Sequence, residues 1–409
     1  MKILLASIYP YAFILLYISI PFDDYIRAFP NLLLGILLIA FPFIVTKNDF
    51  KKLLAKPLLI FIIFFIFLLI NAFLFGRITD DFVVIKKMLI PIGLVILYIP
   101  VQDFKKLNKA IIFSSIAAIL FSIIKFIILV NNTGIFNINY FQESLDILLI
   151  DKLYIGFLCV LSILISYQSL KLDYHPNNKY YLISIILNSL FIILIFSKIF
   201  LIVLIAIVLL RQFYGEKRKL RLLISAVILC ITMGSMFYIF KPDLKNIISF
   251  EKSIESINYE DNALPWGFRN IIWNCASNMI QNGENQFSGI GFKNTNQNLI
   301  SCYEESITDS STRDYFLDKR FNSHNQYLDF YISSGIVGFL LFVVVLLVMI
   351  MKYKKHFFAM ALLTTIILIG LIENYFHRQI GAYYFGYILI ILLINNSFFM
   401  KSEKEKLNK

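Results

Sequence analysis

The chain is 409 residues long, 59% hydrophobic and only 16% charged, with a mean hydropathy of +0.76. Soluble domains carry charge on about a quarter of their residues, so this composition excludes a water-soluble globular protein and predicts a polytopic membrane protein. The net charge of +12 falls largely in the connections between apolar runs, where it sets topology and gives no reason to expect nucleic acid as a partner.

Apolar runs of about 20 residues, long enough to cross a bilayer, recur along nearly the whole chain. The predicted fold class is an all-α polytopic membrane protein of about twelve transmembrane helices, near residues 3–20, 31–46, 57–75, 83–100, 109–130, 152–170, 180–196, 198–212, 221–240, 327–351, 356–372 and 381–400. The first run follows Lys2 and has no small-residue cleavage site before Asp23 and Asp24, so it reads as a retained span and not as a signal peptide. The seventh and eighth are separated only by Ser197 and Lys198. Alternate connections hold the lysines and arginines: Lys47, Lys51, Lys52 and Lys56; Lys105, Lys106 and Lys109; Arg211, Lys217, Arg218, Lys219 and Arg221; Lys352, Lys354 and Lys355; and the C-terminal tail. By the positive-inside rule these face the cytoplasm, as do both termini.

This topology divides the chain into an N-terminal bundle of about nine helices (1–240), an extracytoplasmic loop domain (241–326), three C-terminal helices (327–400) and a cytoplasmic tail (401–409). The loop is rich in Asn, Ser, Asp and Glu and contains both tryptophans, Trp266 and Trp273. Within RNIIWNCASNMIQNG, apolar residues at 272, 276, 279 and 280 have helical spacing, and Asn282-Gly283 is a stop signal. The following SGIGFKN reads as a turn through Gly289 and Gly291; Gly-x-Gly alone is weak evidence for phosphate binding. No pair among Cys159, Cys230, Cys275 and Cys302 has metal-ligand spacing, and Cys275 and Cys302 share the loop, where a disulfide is one of two open outcomes. No metal or cofactor is expected, since the chain has no Walker sequence, HExxH or CxxC pair.

The chemistry concentrates where the loop returns to the membrane, in RFNSHNQYLDFYISSGIVGFLLF, residues 320–342. Ser323 and Gln326 have the spacing of a capping box, which would put His324 in the first turn of a helix, where the positive end of the dipole keeps imidazole neutral. Gly335 and Gly338, one turn apart further along, would admit a close backbone neighbour. Arg269, Arg320 and Arg378 are placed on the same side, and guanidinium groups bind phosphate oxygens through paired hydrogen bonds. Lys198, close to hydrocarbon, is a further site candidate; Lys86, Lys87 and Lys125 are weaker ones. Glu373 is expected to partner Arg378, and His377 is a second outer histidine.

The run His324-Asn325, nine residues, Gly335, two residues, Gly338 resembles the H-[NSQ]-x9-G-x-x-[GTY] pattern of the O-antigen ligases and related O-antigen polymerases. The resemblance extends over the C-terminal half. Arg269 in GFRNIIW stands where that family has a functional arginine, Lys198 in FSKIFLI stands where it usually has another, and ENYFHRQIG resembles its Glu-to-Arg-Gln-x-Gly stretch. The resemblance implies an inverting, metal-independent glycosyltransferase on the outer face of the bacterial inner membrane. It would move a glycan from undecaprenyl pyrophosphate to an acceptor hydroxyl, on lipid A-core for a ligase or on a lipid-linked repeat for a polymerase. His324 would be the base, with Arg269, Lys198, Arg378 and Arg320 around the pyrophosphate. A transporter or flippase is the alternative from another class; it would favour repeated halves, which the sequence lacks.

Overall fold

The computed structural model of the chain describes residues 2–101, 104–134, 147–171, 175–214, 266–281 and 286–394. Among the described residues every regular element is helical. In chain order they are α1 (Lys2–Ser19), α2 (Phe29–Ile44), α3 (Lys56–Leu74), α4 (Ile78–Tyr98), α5 (Phe104–Thr133), α6 (Lys152–Ser169), α7 (Asn178–Leu194) and α8 (Lys198–Gln212), then α9 (Trp266–Gln281), α10 (Phe292–Ser306), α11 (Ser310–Lys319), α12 (Gln326–Tyr353), α13 (Phe357–Gly370) and α14 (Gln379–Ile394).

Among the described residues, five segments are long and apolar enough to cross a membrane: Leu5–Phe22, Lys56–Leu74, Phe104–Thr133, Lys152–Ser169 and Gln326–Tyr353. The helices α2, α7, α13 and α14 are apolar but shorter, at 14 to 17 residues. Of the twelve predicted spans, the one at 221–240 lies outside the described residues and each of the others falls on a helix. The close junction of the seventh and eighth is resolved as a break: α7 ends at Leu194, Phe196 takes a left-handed conformation (φ 47°), and α8 starts at Lys198.

The last helix is the centre of the bundle. Every residue of α14 from Gly381 to Ile394 is buried, and a helix that is apolar on all sides finds its place only inside a shell of other helices. Gly386 lets α4 approach at Pro91 and Leu94, Tyr387 donates to Asn108 of α5 at 3.0 Å, and Tyr17 of α1 donates to the Tyr383 carbonyl at 3.4 Å. Elsewhere α5, α6 and α7 are joined by hydroxyls, with Ser115 to Ser162 at 2.8 Å and Ser166 to Ser184 at 3.1 Å, the kind of polar contact that holds helices together where lipid supplies no hydrophobic contrast.

A second, separate core belongs to the polar segment. Phe268, Ile272, Cys275 and Ala276 of α9 pack with Leu299 and Tyr303 of α10 and Phe316 of α11. Cys275 and Cys302 form a disulfide that fastens α9 to α10. The helix expected from RNIIWNCASNMIQ is present, its Asn282-Gly283 stop lies outside the described residues, and the polar segment also forms α10 and α11, for which the sequence predicts no helix.

Candidate functional site

The approach to α12 differs from the capping box expected for it. Asn325 is the N-cap, its side chain accepting from the backbone N–H groups of Tyr327 at 3.0 Å and Leu328 at 3.1 Å. Ser323 and Gln326 are occupied elsewhere. Asn374 donates to Ser323 Oγ at 2.9 Å, and the Phe376 N–H donates to Gln326 Oε1 at 3.1 Å. The would-be capping pair therefore grips the turn between α13 and α14, and His324 stands just before the helix instead of in its first turn. His324 itself has φ 41°, a left-handed conformation uncommon outside glycine and steadied here by its N–H donating to Asn322 Oδ1 at 3.0 Å.

That turn supplies the partner of His324. Nδ1 lies 3.2 Å from Oε2 of Glu373, whose side chain is only 8% exposed. The other carboxylate oxygen accepts from Tyr154 of α6 at 3.4 Å. Burial alone would raise the Glu373 pKa, but His324, Arg378 and Arg269 outweigh it, and the net displacement is downward. An ionised Glu373 can only accept, so in the neutral ring Nδ1 would carry the proton and Nε2 the lone pair. The expected Glu373–Arg378 pair is replaced by another: Arg378 bonds Asp151 at 3.2 Å, its guanidinium 5.7 Å from the Tyr154 ring. Asp151 also caps α6, accepting from the Leu153 N–H at 3.0 Å. Burial raises the Asp151 pKa against the pull of Arg378.

Arg269, in the first turn of α9, is half-buried; burial lowers its pKa and the charge of Glu373 opposes that, so the two side chains share one field. His324, Arg269, Arg378, Glu373, Asp151 and Tyr154 thus form one cluster drawn from four places in the chain. Lys198 is exposed at the start of α8; Phe200, two residues on, packs against Gly156 of α6, which sets Lys198 at the same end of the bundle as Asp151. Arg320 is exposed and closes α11 in a left-handed conformation, φ 49°, four residues before His324.

Gly335 does not continue the helix. At φ 73°, ψ −179° it breaks α12, and the turn through Gly289 fills the break. Ile290 N–H donates to the Ile332 carbonyl at 3.0 Å, Gly291 N–H to Ser333 at 2.9 Å, and Ile336 N–H to Gln286 at 2.8 Å. A Cβ on Gly335 or on Gly289 would collide with the other segment's backbone. The same turn is held from α3 and α4: Arg77 donates to the Gly289 carbonyl at 3.0 Å and Asn71 to that of Ser288 at 2.9 Å. Asp81 Oδ1 accepts from the Phe292 and Lys293 N–H groups at 2.7 and 3.3 Å. The end of α10 that could have held a phosphate is therefore already filled by a carboxylate, and Gly-x-Gly is a turn. Gly338 faces the Ser334 side chain of its own helix and the Phe67 ring of α3, with no neighbouring backbone among its nearest atoms.

A second histidine–carboxylate pair crosses the first, with His377 Nε2 2.8 Å from Asp329 Oδ2 and Lys87 donating to the His377 carbonyl. His324 reaches from the α12 entry to the turn; His377 reaches back from the turn to α12.

Residues 183–343 match a family described as O-antigen ligase. This segment is similar to the O-antigen ligase family. It contains Lys198, Arg269, Arg320, His324, Asn325, Gly335 and Gly338, whereas Asp151, Tyr154, Glu373 and Arg378 lie outside the match. No curated protein matches the chain. The matched segment thus brings His324 and Arg269 to the cluster, and the flanking parts of the chain add Asp151, Tyr154, Glu373 and Arg378. Glu373 and Arg378 were visible in ENYFHRQIG with the wrong pairing. Asp151, Tyr154, Asp81 and Arg77 had no motif to mark them, because a lone Asp before an apolar run looks like any other cap.

Proposed function

We propose that this protein is a glycosyltransferase of the bacterial inner membrane which moves a glycan from undecaprenyl pyrophosphate to a hydroxyl of lipid A-core at the periplasmic face. The single observation that carries this reading is the His324–Glu373 pair beside Arg269, inside a cluster that Arg378 also joins. The acceptor hydroxyl oxygen attacks the anomeric carbon from the face opposite the pyrophosphate, and its proton passes to Nε2 of His324. The bond from the anomeric carbon to the pyrophosphate oxygen breaks, and undecaprenyl pyrophosphate leaves with the electron pair. Glu373 stabilises the imidazolium that forms, through Nδ1. Arg269 and Arg378, with Lys198 near the same end, bind the pyrophosphate and stabilise charge on the leaving oxygen. Arg378 is 55% exposed on its side chain, so it can turn from Asp151 to the donor.

The polar helices α9 to α11 lie in the periplasm on this reading, and both termini in the cytoplasm. A disulfide between α9 and α10 supports an oxidising compartment for them. The test is the surface-glycan profile of a deletion strain beside strains complemented with the wild type and with His324→Ala. Bare lipid A-core with accumulated lipid-linked long chains in deletion and variant alike is the expected result. Core carrying a single repeat reassigns the protein as a polymerase, and an unchanged profile in both overturns the proposal.

A further inference from the structure

The antiparallel pair α3 and α12 joins the two ends of the molecule. Asn71 binds the turn that fills the Gly335 break, Phe67 meets Gly338, and the Phe64 ring packs on Phe342 at 5.6 Å. Continued in register, this packing brings Lys56, the first residue of α3, level with Lys352 near the end of α12. The two lysines border an open groove of about 470 Å³ floored by Pro57, Val348 and Met351. From Gly335 to Lys352 the helix rises about 25 Å, close to the roughly 30 Å of a bilayer's hydrocarbon core. The lysines therefore lie at the opposite membrane boundary from His324.

Among the described residues neither Lys56 nor Lys352 forms an ion pair. The nearest carboxylate in sequence, Asp49, is taken by Lys52 at 3.4 Å and by the Thr46 hydroxyl at 2.6 Å. Two apolar stripes run from the lysines into the membrane-spanning part, and both are open. On α3 they are Leu59, Ile63, Ile66 and Ile70; on α12 they are Leu347, Val344, Leu340 and Val337, each at least 39% exposed. Two ammonium groups without a carboxylate partner at the rim, Lys352 lying 5.0 Å from the Tyr353 ring, and an apolar track on each side match a phosphate with acyl chains below it.

We propose that Lys56 and Lys352 form a binding site for one anionic glycerophospholipid of the leaflet opposite His324, the phosphate between the two ammonium groups and the acyl chains along the α3 and α12 stripes. This site is independent of the glycan-transfer reading. Its occupant is held on the pair of helices that positions the Gly335 break.

The test is native mass spectrometry of the full chain carrying phosphatidylglycerol, with phosphatidylcholine as competitor. The wild type retains one phosphatidylglycerol in preference to phosphatidylcholine. Lys56→Gln with Lys352→Gln weakens that retention about 10-fold, and Lys56→Arg with Lys352→Arg restores it. Lys47→Gln with Lys355→Gln removes the same charge from exposed positions at the same end and changes retention less than about 3-fold. Equal loss in this control, equal retention of phosphatidylcholine by the wild type, or undiminished retention in the Lys56/Lys352 glutamine variant each overturns the site.

Discussion

A buried carboxylate behind an imidazole fixes which ring nitrogen is basic and stabilises the charge that arrives with the proton. Glu373 stands in that relation to His324. His324→Ala is expected to lower glycan transfer by about 100-fold or more while the protein still accumulates in the membrane, measured on surface glycan and on membrane fractions. Glu373→Gln keeps the shape but loses the anion, and is expected to lower transfer in the same direction with the donor still bound. The depressed pKa of Glu373 also gives the fold a pH dependence. The stabilisation is complete above the ordinary value of 4.5 and is lost as pH falls through the lower, folded-state value. Thermal unfolding of purified protein between pH 7 and pH 3 should show a drop at the acid end that is smaller in Glu373→Gln. The residue types at this site were legible: His324 and Arg269 stood in recognisable runs. Their partners were not, because Glu373 and Tyr154 are 219 residues apart in the chain and contact across such a distance leaves no local pattern.

Helices were legible from apolar run length, and the interruption inside one was not. Gly335 follows Ser333 and Ser334 inside the predicted span 327–351, and a small residue there reads equally well as helix packing. The cause is the Gly289 turn, whose N–H groups take the carbonyls of Ile332 and Ser333. Unpaired backbone groups near hydrocarbon cost several kcal/mol each, so a break is tolerated only where another segment satisfies it. Gly335→Ala is therefore expected to destabilise by about 1–3 kcal/mol or more, since its backbone conformation is essentially glycine-only. Gly338→Ala, in ordinary helical conformation and facing the Ser334 and Phe67 side chains, is expected to cost less; thermal unfolding in detergent ranks the two. The same competition explains the displaced cap. Ser323 had the right type and spacing, but Asn374 engages its hydroxyl and Asn325 takes the cap.

Across the whole molecule, a bundle centred on α14 and a small core around Phe268 and Phe316 meet at the site. Arg269 belongs to the small core and Glu373 to the bundle side, so their separation depends on how firmly α9 is held. Cys275→Ser with Cys302→Ser is expected to destabilise the α9–α10 unit by about 2–4 kcal/mol and to lower glycan transfer without emptying the membrane fraction. Cysteine placed at exposed Gln297 should react with an impermeant maleimide from outside the cytoplasm; inside-only labelling would reverse the proposed topology. The Gly335 break also bears on synthesis. Residues 286–291 leave the ribosome well before 326–353, yet they complete the hydrogen bonding of the helix those later residues form. On the proposed topology, α12 is complete only once that turn is across the membrane and folded, so a chain whose turn is delayed would present a broken helix to lipid.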